Sequence, residues 1–247
     1  MSIDQVRFEE AREKIIGKNR IRQGIGTLAE KTMHAVLKNY YAPDEDMHEI
    51  PIENYVADIY TGAEIIEIQT RSMDRMRKKL EAFLPLYPVT IVYPIPREKW
   101  LYWIDEETGE VSQKRKSPKK GNPYHAFIEL YKIRPFLNHP NLRLRLALID
   151  MEEYRLLNGW SRDKKKGSER YDRIPICFGE EVCIDCIRDY MQLVPYELPE
   201  QFTVKDFAKY AKIPNRLAGT TLLIFNDLGL VKRVGKKGNS YIYEVSE

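Results

Sequence analysis

Asp58, Glu67 and Gln69 are the residues whose types and spacing could do chemistry. The stretch 55–70, Tyr-Val-Ala-Asp-Ile-Tyr-Thr-Gly-Ala-Glu-Ile-Ile-Glu-Ile-Gln-Thr, carries β-branched and aromatic residues on both sides of Thr61-Gly62. That pattern predicts a β-hairpin with a glycine able to take positive φ in its turn. With a two-residue turn, Tyr60 pairs with Ala63, Asp58 falls opposite Ile65 and Val56 opposite Glu67. Period two then gathers Asp58, Glu67 and Gln69 on one sheet face, with the carboxylates as diagonal neighbours roughly 7 Å apart. Two such carboxylates repel unless a cation lies between them, and oxygen ligands suit a hard divalent ion. The same residues would equally line the solvated face of an ordinary antiparallel hairpin, so the flanking elements have to decide.

Residues 3–23 place Val6, Phe8, Ala11, Ile15 and Ile16 among charges, as an amphipathic helix would. Gly24-Ile25-Gly26 breaks it, and Thr27-Leu28-Ala29-Glu30 reads as a capping box opening a second helix with Met33, Val36, Leu37 and Tyr40 on its apolar stripe. Glu30 has two competing uses, to reach back to the Thr27 amide or to deliver a third carboxylate to the hairpin face. Beyond the hairpin, Ser72 is placed to cap a helix whose Met73, Met76, Leu80, Phe83 and Leu84 face one way, ended by Pro85 and Pro88. The run 89–95, Val-Thr-Ile-Val-Tyr-Pro-Ile, suits an interior strand.

Helix, antiparallel strands, helix, strand, carrying Asp58 and then Glu67-Ile68-Gln69, resembles the core of the PD-(D/E)XK nuclease superfamily over roughly residues 24–95. The resemblance implies an α/β (α+β) fold, a three-layer restriction-endonuclease-like core with a mixed sheet. It implies that Glu30, Asp58 and Glu67 hold Mg²⁺ or Mn²⁺ and that phosphodiester bonds are hydrolysed. The third motif position is usually lysine and here is Gln69, which can orient a water by hydrogen bonds but cannot neutralise phosphorane charge. The alternative is a catalytically inactive DNA-binding regulator or assembly protein that keeps the nuclease fold.

The 247 residues, 43% hydrophobic and 31% charged, fit a soluble globular chain, and no apolar run approaches a membrane span. The start, Met-Ser-Ile-Asp-Gln-Val-Arg, lacks a signal-peptide core, so the expectation is a cytoplasmic protein without a membrane partner. Net charge is only +3, but the cations cluster. Residues 97–113 read as a further hairpin, and 114–122 as an exposed, mobile loop whose Lys114, Arg115, Lys116, Lys119 and Lys120, close to Trp100, Tyr102, Trp103 and Tyr124, either face solvent or contact phosphates. Residues 124–137 suggest a short helix, and 142–149 a strand with Arg143 and Arg145 on its polar face. A second basic run, with Lys164, Lys165 and Lys166, reads as part of a linker.

The expected organisation is a nuclease-like domain at 1–160, a basic linker at 161–179 and a second domain at 180–247. Helices at 180–193, 203–212 and 214–228, the last ending at Gly229, precede a cationic hairpin at 231–245. That succession resembles a winged helix-turn-helix domain. The resemblance implies double-stranded DNA as partner, with Asn215, Arg216, Thr220, Thr221 and Asn226 available to the groove and Lys232, Arg233, Lys236 and Lys237 on the wing. Nucleases of this kind often need two active sites to cut both strands, so a homodimer is expected too. Cys177, Cys183 and Cys186 form no even disulfide set, and Cys183-x-x-Cys186 lacks a second ligand pair, so thiols buried on a helix stand against a cysteine-bound zinc.

Overall fold

The protein is described by a computed structural model that covers residues 3–22, 32–105, 107–160 and 166–246. In chain order the elements are α1 (Gln5–Arg22), α2 (Thr32–Tyr41), β1 (His48–Ile52), β2 (Tyr55–Tyr60), β3 (Ile65–Ile68), α3 (Arg77–Phe83), β4 (Val89–Ile104) and β5 (Arg115–Lys116). They continue with α4 (Phe127–Leu130), β6 (Leu142–Trp160), β7 (Lys166–Ile184), β8 (Phe202–Thr203), α5 (Val204–Tyr210), α6 (Asn215–Asp227), β9 (Val231–Lys237) and β10 (Ser240–Val245). The architecture is mixed α/β. A seven-stranded mixed sheet has the order β1-β2-β3-β4-β6-β7 with β5 on β4, and a three-stranded antiparallel sheet has the order β8-β10-β9. Two compact units divide the chain.

The first unit comprises Met1–Thr61, Pro94–Asn122 and Ala147–Glu181. Phe8 and Ala11 of α1 and Met33, Val36, Leu37 and Tyr40 of α2 are buried, as their spacing requires, whereas Val6 lies on the opposite side of α1 and is exposed. Phe8, Tyr40 and Phe178 meet with ring centroids 5.2 to 5.9 Å apart. The predicted capping box with Glu30 lies outside the described residues. Strand β2 buries Ala57 and Ile59 on one face and turns Val56, Asp58 and Tyr60 to the other, with Ala57 paired to Ile50 of β1.

Cations and carboxylates from β4, β6 and β7 interlock within this unit. Glu153 is wholly buried. Its Oε2 lies 3.2 Å from Lys99 Nζ, 3.0 Å from Arg173 Nε and 3.5 Å from Arg170 Nε, and its Oε1 lies 3.1 Å from Arg155 Nη1. Burial alone would favour the protonated acid, but Arg173, Lys99 and Arg170 prevail and hold its pKa below the ordinary value. Nearby, Asp150 takes a two-pronged pair from Arg97, whose guanidinium lies against the Cα of Gly179, where any Cβ would clash.

Three expectations fail in this unit. Strand β4 runs unbroken to Ile104, so the interior strand and the first arm of the predicted hairpin are one element; its turn is real, closing at Gly109 with φ +72° and an Ile104–Val111 bridge. The loop at 114–122 is fastened rather than mobile. Arg115 and Lys116 pair with Leu101 and Trp100, the Ser117 and Gly121 amides donate to the Lys99 and Arg97 carbonyls, and Lys116 and Lys120 both bridge Glu98. The supposed linker is instead strand from Lys166 onward, its cationic start outweighed by Ile174, Ile176 and Phe178, which suit a pleated, half-buried surface; residues 161–165 lie outside the described residues.

The second unit comprises Gly62–Tyr93, Pro123–Leu146 and Val182–Glu247. Strand β3 joins β4 in parallel register, Glu67 opposite Ile91, through a crossover containing α3. Ser72 does not cap that helix. Its φ is 57°, a 3₁₀ turn at Met73–Met76 precedes α3, and the Met73 amide is met by the Glu129 carboxylate at 2.9 Å. Residues 123–136 make 3₁₀ and α turns rather than one helix, with Pro135 inside the last turn. Arg145 is buried against Asp185 at 2.7 Å instead of facing solvent.

After β7 the predicted helix at 180–193 is strand to Ile184 and then a 3₁₀ helix at Ile187–Leu193. Helix α5 is capped by Thr203, which exchanges bonds with Asp206, and Gly229 with φ +75° follows α6, as the sequence requires. Thr221 is buried and donates to the Leu217 carbonyl, so it is unavailable for base contact.

The Glu153 cluster makes a definite demand on stability. Glu153→Gln removes the charge that four cations share while keeping the shape, and is expected to cost about 3–5 kcal/mol. The check is urea unfolding, with a lower midpoint at unchanged m. Because the folded pKa of Glu153 lies below the unfolded value of about 4.5, its contribution is present above that pH and fades as the pH falls through the folded value.

Candidate functional site

The predicted site residues fall into two separate local settings. In the first unit, Asp58 projects from β2 and its Oδ2 lies 3.1 Å from Nε2 of His34 on α2, each side chain about one-fifth exposed. A carboxylate beside an imidazole fixes the ring's orientation. Sequence reading passed over His34, although its place one turn beyond Glu30 was a signal. Glu30 itself lies outside the described residues.

In the second unit, all four residues of β3 are buried and Glu67 is only 2% exposed. Lys79, from α3, grips it with two bonds, Nζ to Oε1 at 2.9 Å and to Oε2 at 2.8 Å. A lone buried carboxylate would be forced toward its neutral form; the ammonium against both oxygens lets the charge stay. Lys79 does not stand out in the sequence, because it sits in a run with Arg75, Arg77 and Lys78, which are exposed. Its position next to buried Leu80 is the clue, since that puts its stem at the edge of the apolar face.

Gln69 is not poised to orient a nucleophile. Its side-chain amide donates to the Arg71 carbonyl and, at 3.1 Å, to the Ser72 carbonyl, closing the bend that Ser72 makes with positive φ. Its backbone amide donates to Val92 of β4 at 2.9 Å. The two-residue turn does not form either: β2 stops at Tyr60 and β3 starts at Ile65, leaving residues 61–64 between them, with Gly62 at φ +84°. Glu64, read as strand, is held by the Thr90 hydroxyl at 3.2 Å and by Arg143 at 3.5 Å.

The other candidates are cations and thiols. Lys114 bridges Glu152 at 2.8 Å, Arg115 and Lys119 are exposed, and two carbonyl bonds hold the loop backbone. Lys164 and Lys165 lie outside the described residues, and Lys166 opens β7. Arg216 is exposed at the start of α6, as are Lys232, Arg233, Lys236 and Lys237 along β9. Arg233 and Lys236 stack over Tyr241 at 4.3 and 4.9 Å from its centroid. The cysteines are on no helix: Cys177 and Cys183 lie on β7, half-buried, and Cys186 is exposed beside it. Among the described residues no group of three or more His, Cys, Asp and Glu gathers as a metal cluster would, and no helix is long and apolar enough to cross a membrane.

Comparison with known proteins now bears on these residues. The family model described as Domain of unknown function (DUF8091) matches residues 31–185, more than half of the chain. The chain belongs to the DUF8091 family. It is similar to an "Uncharacterized protein" of Treponema pallidum (strain Nichols), 27% identical over 192 residues that cover 75% of this chain and 74% of the relative. No solved structure matches the chain. The DUF8091 segment contains His34, Asp58, Glu67, Gln69, Lys79 and Glu153, whereas α5, α6, β9 and β10 lie beyond it.

If Lys79 is what keeps Glu67 charged, Lys79→Met is expected to cost about 3 kcal/mol, the low end of the usual range for a broken buried pair because the ammonium is partly solvated. Adding Glu67→Gln should return most of that loss. A double-mutant cycle by chemical denaturation measures the coupling.

Proposed function

We propose that this DUF8091 chain is a divalent-metal-dependent nuclease that hydrolyses phosphodiester bonds in DNA, with a restriction-endonuclease-like core and a winged-helix domain that holds the duplex. The observation that carries the reading is the buried Glu67–Lys79 pair on a parallel β-α-β crossover. In the motif Asp58…Glu67-Ile68-Gln69 the third position lacks its usual cation, and α3 supplies one to the same carboxylate. The helix-borne lysine then takes the role that Gln69 cannot fill, placing positive charge where phosphorane charge develops.

The donor chemistry fits a hard ion. Glu67 and Asp58 offer carboxylate oxygens of the kind magnesium and manganese take, and an ion at Glu67 would share that carboxylate with Lys79. On the motif, Glu67 and Asp58 would hold the ion, with Glu30 as a third carboxylate. When bound, the ion would lower the pKa of a water and neutralise charge on the scissile phosphate. His34 would hold the Asp58 carboxylate in a fixed orientation, and Gln69 would keep the bend between β3 and α3 closed.

Helices α5 and α6 with the β8-β10-β9 sheet support the winged-helix part of the reading. Asn215, Arg216 and Thr220 would face a groove and the β9 cations the backbone. A second reading, a DNA-binding regulator or assembly protein without catalysis, is favoured by one observation: the Gln69 amide is committed to the backbone at 71 and 72. Calorimetry separates the two, since a catalytic site binds Mn²⁺ in a way that Asp58→Asn weakens.

The direct test is cleavage. Supercoiled plasmid is expected to be nicked or cut with Mg²⁺ or Mn²⁺, to survive with Asp58→Ala or Glu67→Ala, and to be cut about 10²–10³-fold more slowly with Lys79→Met. Cleavage unchanged in both carboxylate variants would remove the assignment.

A further inference from the structure

One face of the first unit has a composition that the hydrolysis of a duplex does not call for. Trp100 and Tyr102 are two residues apart on β4 and therefore share a side of the sheet. Tyr102 stacks on Tyr154 of β6, centroids 4.8 Å apart and planes within 6°. The ammonium groups of Lys114 and Lys116 lie 5.1 and 5.4 Å from the centroid of the Trp100 ring. Both lysines are about half exposed, at 47% and 54% of the side chain, and their carboxylate partners Glu152 and Glu98 stand at the same edge.

We infer that this face is a platform for single-stranded nucleic acid, which deepens the nuclease reading by naming an unpaired strand as the substrate class and rests on that reading only for what happens after binding. An unpaired base exposes a flat π-face with a phosphate one bond-chain away, and an indole flanked by two ammonium groups meets both needs at once. A duplex hides its base faces in its own stack and would leave the aromatic residues idle. The lysines can exchange carboxylate for phosphate at little cost, because exposed ion pairs contribute little. The pairing of Arg115 and Lys116 with β4 and the Ser117 and Gly121 amides on the β4 carbonyls hold the loop that carries them beside the ring before any strand arrives. That pre-ordering lowers the entropic penalty of binding.

The test uses the full chain in EDTA, so that binding is read without cleavage, with a fluorescent fifteen-nucleotide oligo(dT) and a duplex of equal length followed by anisotropy. Trp100→Ala is expected to weaken oligo(dT) binding about five- to a hundredfold, the span for loss of one stacked base, and to leave duplex binding unchanged. Trp100→Phe, which keeps an aromatic face, should retain most of the affinity. Lys116→Ala should make the salt dependence shallower, by about 0.7 in log–log slope. Oligo(dT) affinity unaltered in Trp100→Ala, equal losses for strand and duplex, or displacement by poly-glutamate as effective as by unlabelled oligo(dT) would each overturn the inference, the last by marking a surface for acidic protein. Selective strand binding without cleavage in Mg²⁺ or Mn²⁺ sinks the nuclease reading alone, and cleavage without the selective loss sinks this inference alone.

Discussion

A carboxylate on a strand whose other three residues are isoleucine needs a cation beside it to stay ionised, and among the described residues Lys79 meets Glu67 on both oxygens. Desolvating a carboxylate costs several kcal/mol, which geometry must return. Two short bonds from one ammonium do so, but they require α3 to lie where its lysine can reach back over the sheet. The crossover from β3 through α3 to β4 is therefore not an interchangeable connection. Its bend at 69–72, closed by the Gln69 amide and the positive φ of Ser72, and its anchor at the Met73 amide on Glu129 set where Lys79 arrives.

The first unit solves a similar problem in another way. Glu153 is more deeply buried than Glu67 and, among the described residues, is answered by four cations from three strands, where Glu67 is met by Lys79 from a helix. No single pair there has ideal geometry, and the distances run from 3.0 to 3.5 Å. What keeps the acid ionised is the number of positive charges around it, and this ties the long strands to one another. Burial in turn pulls the pKa of Lys99 down, because its ammonium is desolvated more than Glu153 compensates. Such a cluster stabilises one register of β4, β6 and β7, since a one-residue slip would turn Glu153 or its partners to the other face.

What the sequence disclosed followed from periodicity and turn chemistry. The stripe of α2, Phe8 and Ala11 of α1, Gly229 after α6 and the hairpin at 231–245 all rest on local rules, and local rules were enough. The errors share another origin. Reading 161–179 as a linker gave weight to Lys, Gly and Ser, where the β-branched residues further along decide the state of the segment once it has a sheet to join. In place of the two-residue turn stands a longer connection whose Glu64 has side-chain partners in Thr90 and Arg143, 26 and 79 residues away in the chain. His34 and Lys79 were missed for the same reason: each matters through a partner 24 or 12 residues distant, and spacing within one element says nothing of that.

Gln69 also looks different once its hydrogen-bond partners are known. In an isolated motif, a neutral amide in place of lysine reads as a lost charge. Lys79, ten places further along, brings its positive charge to Glu67 from α3. The Gln69 side-chain amide has a task of its own in the bend. It donates two hydrogen bonds to carbonyls in a tight bend, where a flexible ammonium would be better solvated by water than held by the backbone. Glutamine at 69 and lysine at 79 are thus two halves of one arrangement, the first fixing the bend that lets the second arrive.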